Sequence, residues 1–437
     1  MRIHLKKLRT IGGAAGVLLA TTALMTPALA GGFAVREQST EFQGMSFAGS
    51  AAGGALSSMF WNSAALGGQG WGLLNSSNYA YIIADSEITV LPGTSAALGG
   101  VGTSVDIGRD AIVPADYYSY RLSKDMVIGL GINAPFGLGT EVNNPNWAGQ
   151  FHHRSSKMVT YNFNPTLAYQ LHSGLWVGVG LQVEYMSLRL KQAASPLNLN
   201  TAVLKGDDIG VGVTAGIMWE VHKGTTFGLG WRSSVEHSIS DGESFVNGSG
   251  APKTAISTSL STPDIVTFSF RHALHANTRL LGTVEWTNWS KFGTIPVTVN
   301  ATGATLANLD FQWHDGWLFA LGGEYDWSDR LTLRAGVAYE LSPIQNATER
   351  ILQVPDSDRW WLSMGASYKY SETTTLDFAY THIFFDGGAI DRTPAAVGLA
   401  PLNLRLVGES DQSADILSFA IKMKLGGGAP AHHEPLK

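Results

Sequence analysis

Residues 31–66 have the sequence GGFAVREQSTEFQGMSFAGSAAGGALSSMFWNSAAL. Glycine, alanine and serine dominate this segment, so it carries too few large apolar side chains to bury a core of its own. The strands predicted after it alternate in polarity and can close into a barrel. We therefore expect residues 31–66 to fold inside the lumen of a closed β-barrel as a hatch, although this composition alone is more typical of a linker.

Alternation of apolar with small or polar residues is the main pattern of the chain after this segment. In residues 209–221 the odd-numbered positions are apolar, whereas the even-numbered positions are mostly glycine or polar, and residues 175–185 and 331–340 repeat the pattern. A period of two is typical of a β-strand with one apolar face. A transmembrane strand needs about 9–11 residues, whereas strands of soluble proteins average about 5–6. The pattern predicts an all-β, transmembrane antiparallel barrel.

The composition agrees with a barrel and excludes other classes. The chain has 437 residues, no cysteine, 44% hydrophobic and 15% charged residues. The lack of cysteine excludes disulfide scaffolds and thiolate metal sites. After residue 30 no run of about 18 apolar residues remains, which excludes a helical membrane protein. A barrel accommodates the hydrophobic content, because only alternate residues face the lipid.

Residues 1–30 have the parts of a secretory signal peptide. Four cations precede the apolar residues 11–24, and Ala28-Leu29-Ala30 forms a small-residue cleavage site. We predict that a Sec-type pathway exports the chain and that this segment is removed. Its removal leaves 25 of the 29 basic residues against 35 acidic residues, which disfavours nucleic acid as a partner.

Short and long connections alternate along the rest of the chain. Short polar turns lie near residues 123–125, 172–174, 222–224, 275–277, 328–330 and 371–373. Long connections lie near residues 85–109, 134–156, 190–207, 239–262, 290–314, 342–358 and 384–413. In such barrels short turns face the periplasm and long loops the outside, so the count predicts about fourteen strands. The last strand, residues 416–425, is expected to close the barrel against the first, near residues 71–83.

Three groups of residues resemble one known family. The first lies in the hatch and consists of Phe33, Glu37, Gln38, Phe47-Ala48-Gly49 and Asn62-Ser63-Ala64. The second is Ala134-Pro135-Phe136-Gly137-Leu138-Gly139-Thr140 with Trp147 and Asn164-Pro165. The third is Glu340-Leu341-Ser342-Pro343 with residues 354–359, Trp361-Leu362-Ser363, Gly365 and Tyr368. Together they resemble the FadL/TodX (OmpP1) family of outer-membrane transporters for hydrophobic compounds, which usually has proline where Ser63 stands.

The resemblance implies an architecture and a function. We expect a signal peptide at residues 1–30, a hatch at residues 31–70, a barrel at residues 71–425 and a flexible tail at residues 426–437. The implied function is passive uptake of long-chain fatty acids or related hydrophobic compounds across the outer membrane of a Gram-negative bacterium. The expected partners are the hydrophobic substrate, outer-membrane lipid and lipopolysaccharide. A monomer is expected, with no cofactor, catalytic residue or metal site.

Pro135 and Gly137 are predicted to form a lateral gate. Proline has no N–H to donate to a neighbouring strand, so Pro135 either interrupts the strand that begins at residue 126 or ends it. The resemblance implies an interruption, because a kink in the third strand of the family opens the wall sideways and lets an apolar ligand pass into the membrane.

An apolar pocket with few polar groups is expected to bind the ligand. The predicted lining residues are Phe33, Phe136, Trp147, Phe311, Trp313 and Trp317, each of which can equally be a packing or interfacial aromatic. The resemblance also implies cations for a carboxylate, and we assign Arg189 and Lys191, with His314 before the tenth strand. Because His314 is a weak cation, uptake of neutral or aromatic hydrocarbons is the alternative.

A general porin and a lipid-modifying barrel enzyme are further alternatives. The sequence contains no G-x-S-x-G, H-E-x-x-H or P-loop motif. We predict that the protein is not an enzyme, although sequence alone does not exclude a catalytic pair on the outer face of a barrel.

Overall fold

The computed structural model describes residues 31–393 and 404–426. The predicted signal peptide and residues 427–437 of the predicted tail lie outside the described residues. One helix, three 3₁₀ helices and 21 strands make up the described fold. No helix in these two ranges is long and apolar enough to cross a membrane.

The short helical elements lie mainly before the first strand. They are α1 (Thr40–Gln43) and the 3₁₀ helices Leu56–Phe60, Ser63–Gly68 and Trp289–Lys291. The strands are β1 (Leu73–Val90), β2 (Ser104–Asp106), β3 (Ala111–Arg121), β4 (Met126–Asn133), β5 (Gly137–Glu141), β6 (Ser155–His172), β7 (Leu175–Ser195), β8 (Asn198–His222), β9 (Thr225–Arg232), β10 (Glu236–Val246), β11 (Thr254–Ser261), β12 (Ile265–His275), β13 (Thr278–Thr287), β14 (Thr294–Val299), β15 (Thr305–Asp310), β16 (Gly316–Asp326), β17 (Leu331–Leu341), β18 (Arg359–Lys369), β19 (Thr374–Phe385), β20 (Gly388–Arg392) and β21 (Leu406–Gly426).

Fourteen strands form a closed antiparallel wall. Their order is β1, β3, β4, β6, β7, β8, β9, β12, β13, β16, β17, β18, β19 and β21. β21 completes the circle by pairing with β1 from Leu73↔Gly426 to Val90↔Gly408. The predicted strand number and the predicted closure of the last strand on the first are confirmed.

The alternation of the sequence corresponds to the two faces of the wall. In β8, Ile209 and Val211 are 65% and 67% exposed on the outer face, whereas Thr214 is 2% exposed on the inner face. The inner face packs against residues 31–68, which are almost entirely buried and form the largest hydrophobic core together with inward side chains of the wall. The core of this protein therefore lies inside the barrel.

The connections at the two ends of the barrel broadly match the predicted short turns and long loops. The six short turns lie at one end, where the first and last wall strands also begin and end. At the other end, several predicted loops are extensions of strands. The prediction of a loop over residues 190–207 was wrong, because β7 and β8 pair up to Ser195↔Asn198. Hairpins of β10 with β11 and of β14 with β15 likewise occupy the long connections after β9 and β13.

Candidate functional site

Residues 31–70 run through the interior of the barrel and bond to inward side chains on several strands. The backbone N–H of Gly49 donates to Thr283 Oγ1 on β13 at 2.9 Å, and that of Ala51 donates to Ser269 Oγ on β12 at 3.0 Å. Asn62 donates through Nδ2 to the carbonyl of Ile217 on β8 at 2.9 Å. The wall thus fixes this segment at several points, in addition to the packing of Trp61 against Phe42, Phe47 and Phe60 within the segment.

Glycines on the inner face let this segment approach the wall closely. A Cβ added at Gly230 would lie 1.8 Å from the carbonyl oxygen of Trp61, and one at Gly178 would lie 2.3 Å from the backbone N of Ala64. No side chain fits at such distances. The small residues of β7 and β9 therefore form a seat for Trp61 to Ala64.

Ser63 makes a contact that a proline in this position cannot make. Asn62 caps the 3₁₀ helix Ser63–Gly68 by accepting a bond from the N–H of Ala64 at 3.0 Å. Ser63 then occupies the first helical position, which tolerates proline because its N–H has no partner within the helix. The Ser63 hydroxyl instead bonds Thr214 Oγ1 on β8 at 2.7 Å, so the serine adds an anchor to the wall.

Ion pairs attach the same segment at two further points. Arg36 bonds Glu285 on β13 and, at 2.9 Å, Glu340 on β17. Glu41 accepts from Arg334 on β17 at 2.9 Å and from Lys422 on β21 at 2.5 Å. Buried charges are costly unless they are paired. Displacing the segment would leave these charges unpaired, so the ion pairs hold it against the wall.

The third wall strand is interrupted at residues 134–136. β4 and β5 both pair with β6, at Asn133↔Asn162 and Gly137↔Val159, and the ladder is broken between them. Residues 33–35 fill the break: the N–H of Val35 donates to the Pro135 carbonyl at 2.8 Å, and the N–H of Gly137 donates to the Phe33 carbonyl at 2.8 Å. Pro135 therefore lies within an interrupted strand and not at its end.

The interruption leaves part of the neighbouring strand without a partner on one side. The pairing of β3 with β4 ends at Asp116↔Ile132. The preceding residues of β3, Ala111 to Ala115, pair with β1 on their other side, but the described residues supply no strand partner on the side of β5. The wall therefore has a lateral gap between β3 and β5.

Phe33 lies at the centre of an aromatic cluster next to this gap. Its ring centroid is 4.6 Å from Trp289, 5.0 Å from Phe292, 5.7 Å from Trp313 and 6.1 Å from Phe136. The structure thus brings together three predicted residues, Phe33, Phe136 and Trp313. Trp289 and Phe292 were not predicted; their only sequence signal was an aromatic pair at the start of the connection after β13.

An apolar cavity of about 160 Å³ lies beside this cluster at the long-loop end. Its apolar lining includes Phe33, Leu138, Met158, Leu188, Leu260, Phe292, Ile295, Phe311 and Val354. Phe311 is thus a predicted residue that lines the cavity. Polar residues also line the cavity, among them His152, Asp310 and Arg392.

Arg392 is the cation that sequence reasoning missed. Its guanidinium donates to the carbonyls of Asp310, at 3.0 Å, and Thr348, and it forms no ion pair with the described residues. His152, also at the cavity, bonds the carbonyl of Leu404 at 3.2 Å. Burial lowers the pKa of His152 to about 4, which leaves its imidazole neutral near pH 7. The charged residues of the lining are therefore Arg392 and Asp310, and the Asp310 carboxylate accepts hydrogen bonds from Thr294 and Gln312.

The predicted cations Arg189 and Lys191 lie outside the cavity. On β7 the even-numbered residues point inward, and Leu188 lines the cavity. Arg189 and Lys191 have the opposite parity and point away from the lumen. The structure therefore does not bring these two residues to the apolar cavity.

Three other predicted lining residues also lie elsewhere. Trp317 is on the outer face of β16, stacked on Phe319 with ring centroids 6.2 Å apart. Trp147 packs in a loop, where Nε1 donates to the His153 carbonyl at 2.8 Å. His314 is half exposed and bonds Glu349 at 3.3 Å.

No group of His, Asp and Glu side chains in residues 31–393 and 404–426 is arranged to hold a metal ion.

The chain is similar to known proteins along most of its length. The model of the outer membrane protein transport protein family (OMPP1/FadL/TodX) matches residues 21–424. The long-chain fatty acid transport protein of Escherichia coli O6:H1 is 27% identical over 347 residues, which cover 70% of this chain and 76% of the relative. Outer membrane protein P1 of Haemophilus influenzae is 26% identical over 330 residues, which cover 68% of this chain and 71% of the relative.

Solved structures share the fold. A Pseudomonas aeruginosa FadL homologue superposes with a TM-score of 0.79 at 21% identity, covering 90% of this chain and 100% of that chain. The toluene transporter TodX of P. putida superposes with a TM-score of 0.68 at 15% identity, covering 92% of this chain and 100% of that chain. Identities this low support the architecture and not the choice of ligand.

Proposed function

This chain belongs to the outer membrane protein transport protein family (OMPP1/FadL/TodX), and from this premise we propose that it takes up long-chain fatty acids or related hydrophobic compounds. The barrel spans the outer membrane of a Gram-negative bacterium. The observation that carries the proposal is the apolar cavity beside Phe33 with Arg392 at its lining. A fatty acid matches both features, and the relative from E. coli O6:H1 is named for fatty acid transport.

The apolar lining provides the affinity for the hydrocarbon part of the ligand. Each methylene group removed from water contributes about 0.8 kcal/mol, so a few methylenes against Leu138, Leu188 and Phe292 give measurable binding. Arg392 provides the polar contact: its guanidinium bonds only carbonyls among the described residues, and it has donors with a geometry suited to a carboxylate.

The ligand route that we propose runs sideways through the wall. Residues 31–70 act as a hatch that blocks the lumen below the cavity, whereas residues 71–425 form the wall. Residues 33–35 cover the gap at Pro135 and Gly137. Movement of this short segment opens the gap between β3 and β5, through which an apolar ligand passes into the bilayer instead of the aqueous lumen.

Uptake of neutral or aromatic hydrocarbons is the second candidate, and the size of the cavity favours it. A volume of about 160 Å³ is close to that of an apolar cavity of about 150 Å³ that binds benzene. A ligand of that size needs no carboxylate anchor. The two candidates therefore differ in whether Arg392 contributes to affinity.

Binding of paired ligands to the Arg392→Gln variant tests the proposal. A charge-assisted contact contributes about 1.5–3 kcal/mol, so a long-chain fatty acid should bind the variant about tenfold or more weakly. An arene or alkane of similar apolar size should bind as it does to the unmodified protein. Dissociation constants are measured by calorimetry on detergent-solubilised protein.

Two control variants make the result specific. Arg392→Lys keeps the charge and should recover most of the affinity for the acid, which separates the charge from the loop contacts of Arg392. Arg189→Gln removes a cation outside the cavity and should change neither ligand. Equal affinity of the acid for Arg392→Gln and the unmodified protein would refute the carboxylate anchor and select the hydrocarbon function.

We also propose that the protein acts as a monomer surrounded by lipid and leaves its ligand chemically unchanged. The wall closes on itself without a second chain, which supports action as a monomer. Phospholipid and lipopolysaccharide surround its apolar outer face. Transport by this route breaks no covalent bond, so we propose a passive transporter and not an enzyme.

A further inference from the structure

Three cations lie side by side on the outer face of the barrel. Lys157 on β6 is directly opposite Arg189 on β7, and Arg189 is directly opposite Lys205 on β8. All three point away from the lumen, and Lys191 lies one outward position further along β7. We call Lys157, Arg189, Lys205 and Lys191 the outer cation row.

The outer cation row lies just beyond the apolar band. Tyr161 and Tyr185 are directly opposite each other four residues nearer the short-turn end, and their rings stack with centroids 6.4 Å apart. Below them the outer face is apolar, as at Val179 and Leu181. Because tyrosines mark the boundary between hydrocarbon and headgroups, the cation row lies at the level of the headgroups at the long-loop end.

The charges of the row are poorly compensated within the protein. Like charges directly opposite each other on neighbouring strands destabilise a sheet. Lys157, Arg189 and Lys191 form no ion pair with any described residue. Lys205 bonds Glu243 at 2.9 Å, but Glu243 is shared with Lys253. An anion from outside the protein can therefore offset the repulsion that remains.

We propose that the outer cation row binds the phosphate groups of lipopolysaccharide. In the outer leaflet, a phosphorylated lipid presents its anions at the level of the row while its acyl chains cover the apolar face below. The sheet register holds the cations at a spacing of neighbouring strands, about 4.7–4.9 Å, so one phosphate can contact two of them. The inference depends on the outer-membrane location and not on the transported ligand.

Lipid binding to a double variant tests the site. The variant Lys157→Gln/Arg189→Gln is purified in detergent and titrated with bisphosphorylated lipid A, with binding followed by native mass spectrometry. Loss of two charge-assisted contacts should weaken binding at least about tenfold. The matched control Lys124→Gln/Lys223→Gln removes two exposed cations from the short turns and should bind lipid A as the unmodified protein does.

Further measurements identify the ligand and verify the fold. Lipid A without phosphates should bind the unmodified protein as weakly as bisphosphorylated lipid A binds the double variant, and inorganic pyrophosphate should not compete at equal concentration. The cavity affinity for the transported ligand should be equal in all variants, which reports on folding. The proposal is refuted by unchanged lipid A binding in the double variant, by equal binding of phosphate-free lipid A, or by full competition from pyrophosphate.

Discussion

His152 and His153 are buried in the connection between β5 and β6, beside the apolar cavity. His153 Nδ1 faces Ser156 Oγ at 3.3 Å, and its Nε2 has no hydrogen-bond partner among the described residues. Burial lowers the pKa of His153 from its ordinary value of 6.5 to about 3, and that of His152 to about 4. Both side chains are therefore neutral in the folded loop, whereas both gain a proton below pH 6.5 when the loop opens.

This difference predicts that the loop opens in mild acid. A group whose pKa is lowered in the folded state contributes stability above its unfolded pKa and loses it as the pH falls, here from 6.5 towards 4. At pH 5.5 each histidine should cost about 1.4 kcal/mol, and the two together about 3 kcal/mol. Hydrogen exchange of residues 149–154, corrected for intrinsic rates, should therefore accelerate between pH 7.5 and 5.5.

A variant without these histidines provides the control. His152→Gln/His153→Gln should show the same corrected exchange rate at both pH values, whereas His222→Gln, in an exposed turn, should keep the acceleration. Exchange that does not depend on pH in the unmodified protein would mean that the two imidazoles are already accessible to protons at neutral pH.

The position of Arg189 could be predicted from the sequence, whereas that of Arg392 could not. The outward position of Arg189 follows from continuing the alternation of Val177, Val179 and Leu181 along β7, so its assignment to the pocket disregarded a pattern already present. Arg392 gave no such signal, because it lies in a long connection and reaches the cavity only through contacts with Asp310 and Thr348, distant in sequence.

The interrupted third strand is the element on which the proposed lateral route depends. We predict that Pro135→Val/Gly137→Val, which restores an N–H and two strand-forming residues, allows this strand to pair continuously and removes the gap. Uptake into cells should fall to background, while the purified protein should still bind ligand, because most of the cavity lining, including Leu188 and Phe292, lies on other elements.

The matched control for this element is Pro165→Val. Pro165 lies on the adjacent β6, where the pairing with β4 continues unbroken opposite Leu130, so its replacement should leave uptake unchanged. Normal uptake by a folded Pro135→Val/Gly137→Val variant would exclude the lateral route and direct attention to the lumen.

The strands of the wall could be predicted from the sequence, whereas their extensions beyond the apolar band could not. Inside the apolar band each strand has one face towards lipid and one towards residues 31–70. Burial therefore alternates along the strand, and the hydrophobicity of the sequence alternates with it. Beyond the band, β7 and β8 continue to Ser195 and Asn198 with polar and apolar residues mixed on both faces. There the hydrogen-bonded ladder persists without an alternation in hydrophobicity, and the sequence resembles a loop.

The whole molecule is a wall whose inner face is shaped to hold residues 31–70. The glycines of β7 and β9 that contact Trp61 and Ala64 leave space for the backbone of this segment, and that space is needed only while the segment is docked. The outer face of each strand contacts lipid and does not touch residues 31–70, so its contacts do not depend on whether this segment is docked. We therefore expect residues 31–70 to undock separately from the wall: a change at a seat glycine should displace this segment without preventing the barrel from forming.

We therefore predict that Gly230→Ala opens an ion-conducting path through the barrel. The new Cβ would lie 1.8 Å from the carbonyl of Trp61, and overpacking of this kind costs about 1–3 kcal/mol, enough to increase the undocked fraction about fivefold to more than a hundredfold. Gly323→Ala is the control, since the nearest contact of its Cβ would be an ordinary 3.5 Å to the carbonyl oxygen of Arg279.

In planar bilayers the unmodified protein and the control should pass negligible current. Gly230→Ala should conduct intermittently, and a variant without residues 31–66 should conduct steadily. Steady current through the unmodified protein would instead make it a porin, because a docked segment that leaves the lumen open cannot act as a hatch.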